Sequence, residues 1–166
     1  MRKQINSIFV YLFFIACWIF FFYFYPYHLH YKEQITLCVL QPDFLQTYLQ
    51  KPAFLTEICG DYLTQFFLWT GGGSSILTLT FVFTWLGLRI ALRKTGITSH
   101  VSLWALLPIV AEWALSCHLE YPLSMSLGLM CSVWAFSLST LSTSTHTRGI
   151  LHVVMLIILY CAVGAH

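Results

Sequence analysis

Charged side chains are scarce in this chain. They make up 8% of the residues, and hydrophobic residues make up 58%, whereas a typical soluble domain is about 25% charged and roughly 45–50% apolar. Because these few charged groups cannot cover the surface of a water-soluble globule, a large part of the surface must face lipid. The sequence therefore predicts an all-α, polytopic transmembrane helical bundle that forms a single domain over residues 1–166.

The usual signatures of soluble enzymes and nucleic-acid binders are also missing. No glycine-rich phosphate loop, dinucleotide fingerprint or Ser-His-Asp order occurs, and "TGGGSS" at 70–75 has neither a preceding strand nor a following lysine. The net charge of +2 is not gathered in a basic cluster, which argues against a nucleic-acid partner. We therefore predict no cofactor, and the lipid bilayer is the first predicted partner.

Long uncharged runs predict the membrane spans. A helix needs about 20 residues to cross a hydrocarbon core of ~30 Å. The first run follows Arg2 and Lys3, but it is too long and too aromatic for a signal peptide and has no cleavage site, so we interpret it as a retained anchor. We expect about five spans, with approximate bounds 7–25, 75–91, 101–117, 123–141 and 150–165.

The lysines and arginines predict the orientation. With these spans, Lys32 and Lys51 lie on one side of the membrane and all other cationic side chains lie on the opposite side. Positive charge is retained in the cytoplasm, which predicts a multi-pass protein of the cell inner membrane with a cytoplasmic amino terminus and a periplasmic carboxyl terminus. Because the last span stops at His166, we also expect the chain to be the amino-terminal part of a longer protein.

The predicted outer loop, residues 26–74, is the largest polar region. Apolar stripes at helical spacing predict two interfacial amphipathic helices, at about 42–51 and 53–69. Glycines 71–73 oppose a continuous helix and predict a bend into the second span. The loop holds most of the carboxylates, namely Glu33, Asp43, Glu57 and Asp61.

Two acidic residues near the third span are candidates for function. A carboxylate such as Glu112 inside a membrane helix costs about 2.5–3.5 kcal/mol, so it indicates a site for a proton, a cation or a polar substrate. A protonated or hydrogen-bonded glutamate packed on a neighbouring helix is an equal alternative. Glu120, beside His118 in a short outer turn, is typical of a solvated charge and gains interest only together with Glu112.

Three further pairs have a bland alternative that we favour. Glu57 and Asp61 are spaced i, i+4 and could bind a divalent metal, but a solvated helix face explains them as well. His28 and His30 would point apart in an extended or irregular segment, and no cluster completes a zinc site; together with Lys32 they suit a membrane interface. A disulfide between Cys38 and Cys59 has no supporting spacing signature, and free thiols are favoured.

Longer stretches carry a resemblance. "YHLHYKEQ", "YLTQFFLW" and "LPIVAEWALSCHLEYPLSMSLGL" resemble a Bacteroides-type family of multi-spanning inner-membrane proteins of unknown function. The overall plan is more distantly similar to multi-span lipid-linked-sugar glycosyltransferases. That similarity implies Glu33 as a catalytic base or metal-neighbouring acid, and Glu120 or Glu112 as a second acid. Such carboxylates would activate an acceptor hydroxyl, or hold a divalent metal on the diphosphate of a polyprenyl-linked lipid.

Three functional hypotheses follow. The first is a scaffold or partner of other membrane proteins in envelope metabolism, which predicts an exposed helix face rich in small residues or an apolar patch on the outer loop. The alternative is a lipid-linked-sugar glycosyltransferase or its remnant, which predicts that Glu33, Glu112 and Glu120 converge on one outward cavity. A transporter component comes third, because there is no repeat and little intramembrane charge.

Overall fold

The computed structural model describes residues 2–35, 46, 48–49, 53–97, 100–140 and 145–163. Every regular element in these ranges is helical, as the composition predicts. The helices are α1 (Arg2–Ile19), α2 (Pro26–Ile35), α3 (Phe54–Thr64), α4 (Gly72–Lys94), α5 (Val101–Trp104), α6 (Leu106–Ser116), α7 (Leu123–Thr140) and α8 (Thr145–Val163). A π-helical turn, Phe20–Phe24, follows α1, and a 3-10 turn, Gln65–Leu68, follows α3.

The chain bends sharply between α1 and α2. The segments Ile8–Phe24 and Pro26–Gln34 meet at 73°, and proline, which lacks an N–H donor, suits the first position of the second helix. The expectation that His28 and His30 lie in an extended or irregular segment is therefore wrong. Residues two apart on a helix differ by about 200° in direction, so the two imidazoles still do not converge.

A glycine turn leads into α4. Gly71 has φ 83°, a left-handed conformation that favours glycine, and α4 begins at Gly72, three residues before the predicted span. Inside α4, the hydroxyls of Thr80 and Thr84 donate to the carbonyls of Ile76 and Thr80 at 2.9 and 2.8 Å. Because these bonds pair both hydroxyls within the helix, the two threonines are compatible with an apolar segment.

Close helix contacts join α4 and α3 to α7. A Cβ atom added at Gly87 would lie 2.8 Å from Val133 Cγ1, and the Ser137 hydroxyl donates to the Gly87 carbonyl at 2.6 Å. At Gly60 on α3, an added Cβ would lie 2.8 Å from the backbone nitrogen of Ser124. Small residues thus bring these backbones together, as is typical of packed membrane helices.

Aromatic side chains hold α1 and α5 against α4. Phe14 packs edge-on against Trp85 with ring centroids 5.8 Å apart, and the Trp85 indole donates to the Ser102 carbonyl at 3.1 Å. The Trp18 indole donates to the Ser75 hydroxyl at 3.1 Å. The apolar core of the described residues therefore lies between α1, α4, α6 and the start of α7.

Two helices, α4 and α7, are long and apolar enough to cross a membrane, and the bent α1–α2 pair is a third candidate if it forms one span. The apolar segments Val101–Ser116 and Gly149–Tyr160 are shorter. By length and composition, the described part of the chain thus supplies two to three candidate spans, where the sequence predicts about five.

Parts of the predicted outer loop lie outside the described residues. Of the expected helix at 42–51, residues 46, 48 and 49 are described and helical. The second expected helix, 53–69, corresponds to α3 and the 3-10 turn. Cys59 carries a free thiol, and Cys38 is outside the described residues.

Candidate functional site

A set of polar side chains is buried where α2, the end of α6, the turn at 117–122 and the start of α7 meet. We call this set the polar cluster. It consists of Lys32, Glu112, Ser116, Tyr121 and Ser126, of which Tyr121 is half-buried and the others are buried. Buried polar groups of this kind are rarely incidental, because each must be hydrogen-bonded or pay a desolvation cost.

Lys32 ties α2 to the end of α6. Its side chain is 8% exposed, and its Nζ atom donates to the backbone carbonyls of Ser116 at 3.0 Å and Tyr121 at 2.9 Å. Ser116 ends α6, and carbonyls in the last turn of a helix lack intrahelical partners and favour a positive charge. Lys32 is therefore buried and links α2 to the end of α6, a role that its interpretation as a membrane-interface residue does not include.

Glu112 is the one acid of the polar cluster. It is 2% exposed, and neither carboxyl oxygen has a hydrogen-bonding partner in the part of the chain that the structure describes. The nearby Ser116 hydroxyl donates to the Glu112 backbone carbonyl at 2.8 Å, so it does not serve the carboxyl group. The equal alternative, a protonated or hydrogen-bonded glutamate packed on a neighbouring helix, stays a prediction, and Ser126 on α7 is the neighbouring side chain that it would use.

Ser126 and Tyr121 complete the surroundings of Glu112. The Ser126 hydroxyl, on α7, lies beside the Glu112 carboxyl and beside the Tyr121 phenol, yet it meets the geometry of a hydrogen bond with neither. Burial raises the pKa of Tyr121 above its ordinary value, and the nearby Glu112 charge raises it further. The surroundings of Tyr121 therefore favour its neutral phenol, which neighbours both Ser126 and Glu112.

The other two predicted acids lie on segments next to the cluster. Glu33 follows Lys32 on α2 and is 7% exposed, whereas Glu120 is exposed in the turn that precedes Tyr121. Because Lys32 joins α2 to this turn, Glu33, Glu112 and Glu120 are carried by adjoining segments. Their convergence on a single cavity stays a prediction.

Two cavities are lined by other residues. One, of about 240 Å³, lies at the α1–α2 bend beside the start of α4, and its polar lining includes His30 and Ser74. The other, of about 290 Å³, lies between α7 and α8 and is lined by Ser132, Ala135, Phe136, Ser139, His152, Met155, Leu156 and Leu159. Neither contains Glu33, Glu112 or Glu120 in its lining.

The acid and histidine pairs that the sequence singles out do not join a larger group of metal-ligand side chains among the described residues. Among the described residues, no group of three or more His, Cys, Asp or Glu side chains could hold a metal ion together. Asp61 instead accepts a hydrogen bond from the Tyr48 hydroxyl at 2.5 Å. Of the acid pair on α3, Asp61 is therefore engaged with the side chain of Tyr48.

The sequence did not single out Tyr121 or Ser126. Ser126 is one of several serines in a predicted span, and its spacing from Glu112 has no special signature. The sequence carries one weak signal: the stretch "HLEYPLSMS", residues 118–126, places polar residues shortly after Glu112. Ser126 lies beside Glu112 across the turn at 117–122, which joins α6 to α7.

The helices and the buried cluster define a helical protein with the features of a membrane protein. The family comparison adds one assignment: residues 1–166 match the family described as "Family of unknown function (DUF6057)", and the chain belongs to this family. No curated protein and no solved structure matches it significantly. The match supports the resemblance to a family of unknown function, and it does not extend to a Bacteroides-type group or to glycosyltransferases.

Proposed function

We propose that this protein is a multi-pass protein of the inner membrane with about five spans, a cytoplasmic amino terminus and a periplasmic carboxyl terminus. Support comes from the candidate spans together with the two shorter apolar segments, Val101–Ser116 and Gly149–Tyr160. Large apolar side chains such as Phe9, Leu79 and Leu156 are exposed on these helices, as expected where a surface faces lipid.

Contacts between distant segments also agree with this topology. In the proposed arrangement α2, α3, the turn at 117–122 and the start of α7 all lie on the periplasmic side. Lys32 bonds to Ser116 and Tyr121, and Gly60 approaches Ser124 closely. Arg93 and Lys94, at the end of α4, then lie on the cytoplasmic side, as the positive-inside rule requires.

Within the membrane, we propose a role as a scaffold or assembly partner in envelope metabolism. The observation that carries this role is the surface of α7 and α8. Their groove of about 290 Å³ contains the small residues Ser132, Ala135 and Ser139, which allow a further helix to approach closely. Beside it, α8 exposes a row of large apolar side chains, namely Ile150, Val153, Leu156, Ile157 and Tyr160.

Site-specific photo-crosslinking tests this role. A photoreactive amino acid at Leu156 lines the groove, and the same group at Leu79, which is exposed on α4, is the control. We expect one defined membrane protein to crosslink to position 156 and not to position 79, and Ser132→Leu, which fills the groove, to abolish the adduct. Crosslinks to lipid alone at both positions would overturn the scaffold role.

The enzyme alternative, transfer of a sugar from a polyprenyl-linked lipid, is favoured by one observation. Glu112 is a buried acid whose carboxyl oxygens lack partners among the described residues, as a catalytic acid awaiting substrate would. The alternative requires Glu33 or Glu120 to share its cavity, with a divalent metal as an optional participant. Purified protein that binds no polyprenyl diphosphate sugar would exclude it, whereas transfer that is lost in Glu112→Gln would support it. A transporter component remains the third hypothesis.

A further inference from the structure

The unpaired atoms around Glu112 share one chemistry. The two carboxyl oxygens of Glu112 and the hydroxyl of Ser126 have no hydrogen-bonding partner among the described residues. Both side chains are buried, and Ser126 is 1% exposed. Glu112 is on α6 and Ser126 is on α7, and the two side chains lie beside each other. Each unpaired buried polar group costs about 1–3 kcal/mol, so an arrangement of three such oxygens indicates a ligand that binds oxygen.

The charge balance narrows the ligand. An ionised Glu112 carries one negative charge in apolar surroundings, and a buried charge must be paired or neutralised. Lys32 does not supply the pairing, because neither Glu112 oxygen bonds to any described residue and the Lys32 ammonium bonds to two backbone carbonyls. One positive charge balances the site, whereas a divalent ion would leave an excess.

The donor set excludes the softer metals. Zinc and copper sites use cysteine and histidine, and the described residues contain no group of three His, Cys, Asp or Glu side chains that could hold a metal. Carboxylate and hydroxyl oxygens suit hard cations. The hydroxyl of the half-buried Tyr121, next to Ser126, adds a further oxygen.

We propose that Glu112, Ser126 and Tyr121 form a binding site for a monovalent alkali cation such as Na⁺ or K⁺. The ion bridges α6 and α7, satisfies the carboxyl and hydroxyl oxygens together and neutralises the carboxylate. This site is independent of the scaffold surface on α7 and α8, because no residue is shared between the two. The protein would thus carry an ion within its fold whether or not a partner helix binds the groove.

Thermal unfolding in detergent tests the site. A ligand that binds only the folded state stabilises it in proportion to the logarithm of its concentration above Kd. We expect NaCl or KCl to raise the melting temperature by about 5 °C over choline chloride at equal ionic strength. Glu112→Gln should remove this difference, and Ser126→Ala should raise the half-saturating cation concentration by about tenfold.

The matched control is Glu120→Gln, which removes an exposed carboxylate from the adjoining turn and should keep the full cation response. If Glu112→Gln does not fold, Ser126→Ala decides the question through its shifted half-saturation. Equal melting temperatures in sodium, potassium and choline chloride would overturn the proposal. A melting temperature that depends on pH and not on the cation would also overturn it, because Glu112 would then hold a proton in place of the ion. A cation response that is unchanged in Glu112→Gln and Ser126→Ala would also overturn it.

Discussion

The ammonium group of Lys32 donates a hydrogen bond to the backbone carbonyl of Ser116 at 3.0 Å, across 84 positions of the sequence. A second bond, to the Tyr121 carbonyl, measures 2.9 Å. One side chain thereby ties the helix after the α1–α2 bend to the turn between α6 and α7. The contact also connects the segments that carry Glu33, Glu112 and Glu120, so it belongs to both the fold and the candidate site.

Replacing Lys32 tests this link. Lys32→Met keeps the length of the side chain and removes both hydrogen bonds, which leaves two carbonyls unpaired. Hydrogen bonds to charged groups contribute about 1.5–3 kcal/mol each, and the loss is partly offset because a charge no longer has to be buried. We expect a net destabilisation of about 1–3 kcal/mol, measured as a lower melting temperature in detergent.

Lys94→Met is the control for this substitution. Lys94 is exposed at the end of α4, and exposed substitutions usually change stability by less than about 0.5 kcal/mol. Equal melting temperatures for the two variants would show that the Lys32 bonds do not stabilise the fold.

The close approach of α3 and α7 gives a second prediction. A Cβ atom at Gly60 would lie 2.8 Å from the backbone nitrogen of Ser124, and a backbone atom cannot move aside as a flexible side chain can. Gly60→Ala should therefore destabilise the protein by about 1–3 kcal/mol through overpacking. Gly149→Ala is the matched control, since an added Cβ there meets nothing within 4 Å and alanine favours a helix. If Gly60→Ala is as stable as Gly149→Ala, the packing of α3 on α7 is not as described.

The cysteines give a third prediction. Cys59 is exposed and Cys17 is buried, and both carry free thiols. In folded protein without reductant, a maleimide should modify Cys59 within minutes and leave Cys17 unmodified, as measured by peptide mass spectrometry. If Cys59 reacts only after reduction, its thiol is not free. Such a result would favour the disulfide with Cys38 that the sequence left as an alternative.

The uncharged runs were sufficient to predict the helical class, because continuous apolar stretches of about 20 residues are typical of membrane-spanning helices, whereas the strands of a closed barrel alternate apolar and polar residues. The burial of Glu112 was also predictable, since uncharged residues surround it. Lys32 was not, because a lysine directly after an aromatic run is typical of an interface. Its burial depends on two carbonyls that are distant in sequence, one at the end of α6 and one in the turn that follows.

The local structure after Pro26 shows a second limit. The polar composition of this segment, with two histidines, a lysine and a glutamate, predicts a loop. The structure instead forms α2 there, and Lys32 on α2 bonds to the turn at 117–122. Ser126 illustrates the same limit for the site. Several serines occur in α7, and Ser126 becomes a neighbour of Glu112 through the path of the turn at 117–122, which sequence spacing does not encode.

The central claim is that the chain crosses the membrane with the turn at 117–122 outside and the α4–α5 connection inside. Glu120→Cys and Thr95→Cys, each in a variant without other cysteines, place a single thiol at an exposed position in each segment. In intact cells, a membrane-impermeant maleimide should label position 120, and it should label position 95 only after the membrane is permeabilised. Labelling of position 95 in intact cells, with position 120 protected, would contradict the proposed topology.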